Sequence, residues 1–342
     1  MSLVPATRAS ERLRRLTSLD VLRGATVALM IVVENQGSGA HAFPGAAHAS
    51  WNGLTPADLV FPLFLFVMGG SLAQSVDRLT WARAVRRTAV LFFLGLVLNG
   101  LGRVPLHSLK YMGVLQRIAL CYLLTVAVVK LLPPKRQWQM AVGVLVAWWA
   151  FLSLGPLTPQ GNTAGWLDRL LLGAEHLYGD GSYDPSGLAS TPAAAVNVLA
   201  GVWAARWLRE HGRSFIVRAG LFCVGSGLLW AIVHPVNKRL WTSSFVVVTV
   251  GLSALALVAV GERDRYAWVF EVFGRNAIVV YVASELVSDV LKDTGAREWL
   301  YRHLFVPWAG LHVGSLAYAL AFVGLWWLAL CAMWRRRWFV SV

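Results

Sequence analysis

The chain has 342 residues, of which 57% are hydrophobic and 14% charged, with a mean hydropathy of +0.58. Soluble domains carry nearer a quarter charged residues, so the composition excludes an ordinary soluble globule and predicts an all-α bundle packed within a lipid bilayer. The net charge of +14 invites a nucleic-acid reading, but the cations lie in short loops between apolar runs, where they set topology, and no nucleic-acid-binding motif accompanies them.

Arg8, Arg12, Arg14 and Arg15 lie in a polar, basic segment (1–16) that reads as cytoplasmic rather than as a cleavable leader. The first span is predicted over about 18–37. Asp20 and Arg23, three residues apart, share a helix face there and suit either a structural ion pair or a ligand contact. Glu34 and Asn35 stand at its far end, beside a loop with His41 and His48. The stretch HASWNGLTPADLVFPLFLFVMGG (48–70) then writes out a helix start. Thr55 suits the cap, Pro56 the first helical position, and Asp58 the capping-box acid. A polar cluster is thereby fixed at the mouth of the second span, about 56–76, and polar groups are costly to hold there without a function.

Further spans are expected over about 84–102, 112–132, 137–156, 191–208, 214–233, 242–260, 270–288 and 313–334, with a short amphipathic piece near 295–306. Ten spans put both termini in the cytoplasm. Most Lys and Arg then fall in cytoplasmic segments, those of Glu262-Arg263-Asp264-Arg265 among them, and few outside, such as Arg103 and Lys110, which flank His107. The longest connection, 157–188, is expected on the outer side. Its Asp168, Glu175, Asp180 and Asp184 suit either a substrate contact or a solvated loop. Seventeen Trp suit interfacial belts, and Cys121, Cys223 and Cys331 sit in apolar runs as free thiols with neither disulfide nor metal spacing. The whole chain, 1–342, reads as a single transmembrane domain.

His48 is the best general-base candidate, because an imidazole titrates near neutrality. It needs a partner to hold its tautomer, and Glu34, Asn35 and Asp58 are all placed for that. The opposite mouth gathers Arg23, Arg86, Arg87, Arg275 and Asn276 at helix ends. Arg275 and Asn276 open a helix and suit phosphate, although positive-inside topology alone accounts for such arginines. Arg117 lies about one turn inside its span and needs a buried partner. No P-loop, GxSxG elbow, HExxH or dinucleotide fingerprint occurs.

Seven stretches in order carry a resemblance: SLDVLRG (18–24), Asn35, HASWNGLTPADLVFPLFLFVMG (48–69), GVLQRIALCY (113–122), YDPSGLAST (183–191), PVNKRLWTSSFV (235–246) and FGRNAIVVY (273–281). With them the chain resembles the heparan-α-glucosaminide N-acetyltransferase family of transmembrane acyltransferases. The resemblance implies a ten-span core and transfer of an acetyl group from cytoplasmic acetyl-CoA to a glucosaminide amine across the membrane. It implies His48 as the catalytic histidine and Asn35 as a site residue, with Asp58 in support. Acetyl-CoA is expected at Arg275, Asn276, Arg117, Gln116 and Arg23. The acceptor is expected at Trp51, Asn52, Glu34, Asn237 and Lys238, with no metal. Direct transfer and an acetyl-histidine route both stay open.

Glu34 stands where a small or apolar neighbour of Asn35 is expected. The basic start fits a bacterial inner-membrane protein, with an amino sugar, cell-envelope glycan or periplasmic glucan as acceptor rather than heparan sulfate. A homodimer is compatible with the family. The competing readings are an inner-membrane transporter of an amino sugar such as N-acetylglucosamine, and a structural membrane protein without activity.

Overall fold

The computed structural model describes residues 17–100, 102, 104–260 and 267–339. The N-terminal arginines, Arg103 and the 262–265 charges lie outside the described residues. The described residues form helices and connecting loops, with no β-strand among them. The helices are α1 (Thr17–Glu34), α2 (Pro56–Leu72), α3 (Trp81–Leu98), α4 (Val114–Leu131), α5 (Pro134–Leu152), α6 (Thr163–Leu172) and α7 (Thr191–His211). They continue as α8 (Arg213–Trp230), α9 (Ser243–Ala259), α10 (Ala267–Arg275), α11 (Ala277–Asp293), α12 (Ala296–Leu300) and α13 (Val306–Arg335).

Every expected span falls on helical residues, that over 270–288 on two helices instead of one, and the extents differ. By length and apolar composition two segments among the described residues are able to cross a membrane, α4 and the Ala296–Arg335 stretch, or three if one bent pair counts as a span. That pair is α10 and α11, which meet at 77° where a continuous helix over 270–288 is expected. The break falls at Asn276, whose backbone (φ −118°, ψ 29°) leaves the helical region. The amphipathic piece is the five-residue α12 followed by a π-helical turn over Tyr301–Phe305.

α2 is the central element. It packs on α1, α4, α7 and α9, and Leu65, Phe66 and Val67 are fully buried in the main core with Val198 and Val246. Its contact with α7 is backbone on backbone: a Cβ on Gly69 would stand 1.8 Å from the Val198 carbonyl oxygen, and one on Gly201 1.9 Å from that of Phe66. Glycine at these crossings lets two helices approach without side chains between them. A second, smaller core joins α1, α10 and α13 through Val27, Ile31, Phe273 and Phe322.

Candidate functional site

Asp58 organises the N-terminal mouth of α2. It is 1% exposed. Its Oδ2 accepts from the backbone N–H groups of Ala49 (3.1 Å) and Thr55 (3.0 Å) and from Thr55 Oγ1 (3.0 Å). The capping-box half expected of this acid is therefore present. The other oxygen, Oδ1, lies 2.9 Å from His48 Nδ1 and 3.6 Å from Lys238 Nζ. Lys238 Nζ lies in turn 3.0 Å from His48 Nδ1 and 3.2 Å from Nε2. Burial pushes the Lys238 ammonium below the ordinary lysine range, opposed by the nearby charges of Asp58 and Glu34.

Two tight turns hold these side chains. Asn237 is fully buried; its Oδ1 accepts from Leu240 N–H (2.9 Å), and its Nδ2 donates to Asn52 Oδ1 (3.0 Å). The Gly53 N–H donates to Val236 O (2.8 Å). The Trp-Asn-Gly turn and the 235–242 loop are thus laced together, which fixes Lys238 beside His48. Trp51 donates its indole N–H to Leu157 O (2.7 Å) and meets Tyr183 edge-on at 5.0 Å.

His48, Asp58, Lys238, Glu34 and Trp51 line one cavity of about 300 Å³. Lys110, Tyr178, Ser186 and Arg239 also line it; Ser186 lies within the YDPSGLAST stretch and Arg239 within PVNKRLWTSSFV. The 157–188 connection is folded rather than a free solvated loop. Asp168 and Asp184 are 1% and 3% exposed, and both serve the loop itself: Asp168 accepts from Ala189 N–H (2.8 Å) and Asp184 from Ser186 N–H (2.7 Å). Burial pushes the Asp168 carboxyl up to about 6.

Asn35, just past the end of α1, does not line the cavity; its Nδ2 donates to Ile31 O in the last turn of α1 (3.0 Å). Arg117 is fully buried, as its position demanded. Its partners are Gly187 O (2.8 Å), Ser190 Oγ and the Trp241 ring 4.9 Å away. It braces the 183–191 segment instead of reaching the other arginines. Gln116 packs against Gly95 of α3. The physical reason is rotation: successive helical residues point about 100° apart. Ile118 and Tyr122 therefore face the second cavity while Gln116 and Arg117 do not.

That second cavity, about 280 Å³, is lined by Arg23, Arg87 and Arg275 with Ser71 and Tyr122. Arg23 contacts Asp20 (3.1 Å) and Ser71 Oγ. Arg275 lies over the rings of Trp334 and Phe339 at 4.7 and 5.0 Å. Asn276 is buried and donates to Trp338 O (3.2 Å) at the start of α11. Arg87 Nε is buried without a hydrogen-bond partner, an orphan donor that suits an anionic ligand. Both cavities lie against α2: Ala57 to Phe61 face the first, Phe64 to Ser75 the second. Asp58 and Ser71 are about 20 Å apart by helical rise. Among the described residues no cluster of metal-binding side chains occurs.

The family described as heparan-alpha-glucosaminide N-acetyltransferase, catalytic, matches residues 15–220. The heparan-alpha-glucosaminide N-acetyltransferases of Homo sapiens and Mus musculus are each 29% identical to the chain, over alignments covering 83% of it and 55% of the relative. The chain therefore spans about half the length of these relatives.

Proposed function

The chain belongs to the heparan-alpha-glucosaminide N-acetyltransferase catalytic family, and on that premise we propose that it moves an acetyl group from cytoplasmic acetyl-CoA to an amino sugar or glycan on the outer side of a bacterial inner membrane. The supporting observation is the pair of cavities on one helix: a base held by a carboxylate at one end of α2, and a cluster of arginines at the other. The ten-span topology with cytoplasmic termini gives these cavities opposite sides of the bilayer. Arg23, Arg87 and Arg275, with the start of α11, are assigned to the phosphates of the donor. The donor supplies the thioester carbonyl that the acceptor nitrogen attacks.

His48 is the general base. With Nδ1–H donated to Asp58, its Nε2 keeps the lone pair and, once the acceptor displaces Lys238 Nζ from its place 3.2 Å away, removes a proton from the acceptor amine as the C–N bond forms. The C–S bond breaks, and His48 returns that proton to the departing sulfur. Asp58 keeps the tautomer and stabilises the transient imidazolium. An amino-sugar acceptor arrives as an ammonium, which Glu34, a carboxylate exposed to this cavity, suits; it gives up one proton to solvent before its nitrogen attacks, and His48 takes only the second. Trp51 offers an aromatic edge for a sugar ring. Lys238 is assigned to the site through its contact with His48, and Asn52 and Asn237 to holding it.

The test is acetyl-CoA binding and turnover by purified protein in detergent, with glucosamine and a panel of amino sugars, wild type beside His48→Ala. Wild type is expected to acetylate an amine, and the variant to bind acetyl-CoA without turnover. Failure of both proteins to bind acetyl-CoA would sink the acyltransferase reading and leave amino-sugar transport as the alternative.

A further inference from the structure

A third cavity lies away from both sites, about 460 Å³ and almost wholly apolar. Its walls are α5 and α8, both packed on a floor of α7 and α9. Trp138, Val142 and Val146 line it from α5, and Phe215, Phe222 and Trp230 from α8. Val142 and Phe222 are 52% and 74% exposed, so the groove opens sideways. One end is closed by the edge-on contact of Trp149 with Trp230 at 6.0 Å. At the other end Trp138 stacks on Trp203 at 4.3 Å and Trp207 at 5.6 Å. The lining extends about 12 Å along α5, from Trp138 to Val146, and about 22 Å along α8, comparable to one bilayer leaflet of roughly 15 Å.

The open end carries charge. Lys135 and Arg136 begin α5, Arg206 and Arg209 end α7, and Arg213 begins α8. Arg213 donates to Val258 O (2.6 Å). Lys135, Arg136, Arg206 and Arg209 have no ion-pair partner among the described residues. Four cations without an ion-pair partner among the described residues, at ends of the helices that bound an apolar slot, complement a molecule with an anionic head and a hydrocarbon tail.

We infer that this groove is a binding site for an anionic phospholipid, one acyl chain lying between α5 and α8 and the phosphate among Lys135, Arg136, Arg206 and Arg209. The inference rests on the membrane reading and is independent of the acetyl-transfer chemistry. Anchoring α5, α7 and α8 in the leaflet that holds the arginine-rich cavity steadies that half of the bundle.

The experiment is native mass spectrometry of the full chain in detergent, titrated with phosphatidylglycerol or phosphatidylcholine of identical acyl chains. Wild type is expected to prefer phosphatidylglycerol. R206Q/R209Q is expected to lose that preference by about fivefold per arginine removed while still taking up either lipid. Ala219→Trp, which fills the groove, is expected to lose retention of both lipids. Monodisperse elution and an unchanged thermal melt certify that each variant is folded; R206Q/R209Q, at one half-buried and one exposed position, reads the site even if Ala219→Trp does not fold. Equal binding of both lipids by wild type, or an unaltered preference in R206Q/R209Q, overturns the proposal. So does a folded Ala219→Trp that binds lipid normally but changes oligomeric state, which would make the groove an interface between copies.

Discussion

Asp58 binds two partners with one oxygen and the Ala49–Thr55 backbone with the other, so its amide analogue is an informative variant. In Asp58→Asn the side chain has one acceptor and one donor end. If the oxygen keeps the Ala49 and Thr55 N–H groups, the amide nitrogen faces His48 Nδ1 and donates to it. The imidazole then carries its proton on Nε2, and the base is lost. Turnover is expected to fall by about 10²–10⁴-fold with acetyl-CoA affinity unchanged, measured by steady-state kinetics beside direct binding. A turnover within about twofold of wild type would remove Asp58 from the mechanism. His48 and Asp58 were legible in the sequence because ten residues and a helix cap join them. The approach of Lys238 was not, since 190 positions separate it from His48 and only the laced turns bring them together.

The 157–188 connection is the element that the sequence left most open. Its length and acids suit either a substrate contact or a solvated loop, and α6 with two buried acids folds it beside the first cavity. Asp168 gives that docking a pH signature. Its carboxyl is raised from 3.8 to about 6, so between those values the folded chain holds a proton that the unfolded chain releases. Its contribution is fully present below pH 3.8, declines as pH rises toward 6, and is gone above. The loss amounts to about 3 kcal/mol at most. Thermal melts of the detergent-solubilised protein between about pH 4 and 7 are expected to show this fall, and Asp168→Asn to flatten it. A wild-type profile that rises over this range would contradict the assignment. Helix existence was readable from apolar runs and caps. The break at Asn276 was not, because FGRNAIVVY contains neither proline nor a charge pattern that marks a 77° bend.

At the scale of the whole molecule the proposed topology makes its own prediction. With Cys121, Cys223 and Cys331 replaced by serine, a cysteine at Gln160 is expected to react with an impermeant maleimide on intact cells. One at Glu210 is expected to react only after permeabilisation. The opposite pattern would invert the bundle and remove cytoplasmic acetyl-CoA from the arginine-rich cavity. Arg117 and Gln116 were expected with those arginines and instead face the 183–191 segment and α3. Arg87, readable as a topology signal alone, lines the cavity with a buried unpartnered Nε.

The sequence by itself determined the helical class, the order of the helices, the capped start of α2 and the residues that carry the family resemblance. These depend on local composition, periodicity and short-range hydrogen bonds, all of which act within a few residues. Only the tertiary structure decided how closely those groups approach and which side chains turn away: Lys238 lies 3.0 Å from His48, while Asn35, Gln116 and Arg117 line neither the first nor the second cavity. Which way a helical residue points depends on how the helix is rotated against its neighbours, and that rotation is set by packing such as the Gly69–Gly201 crossing.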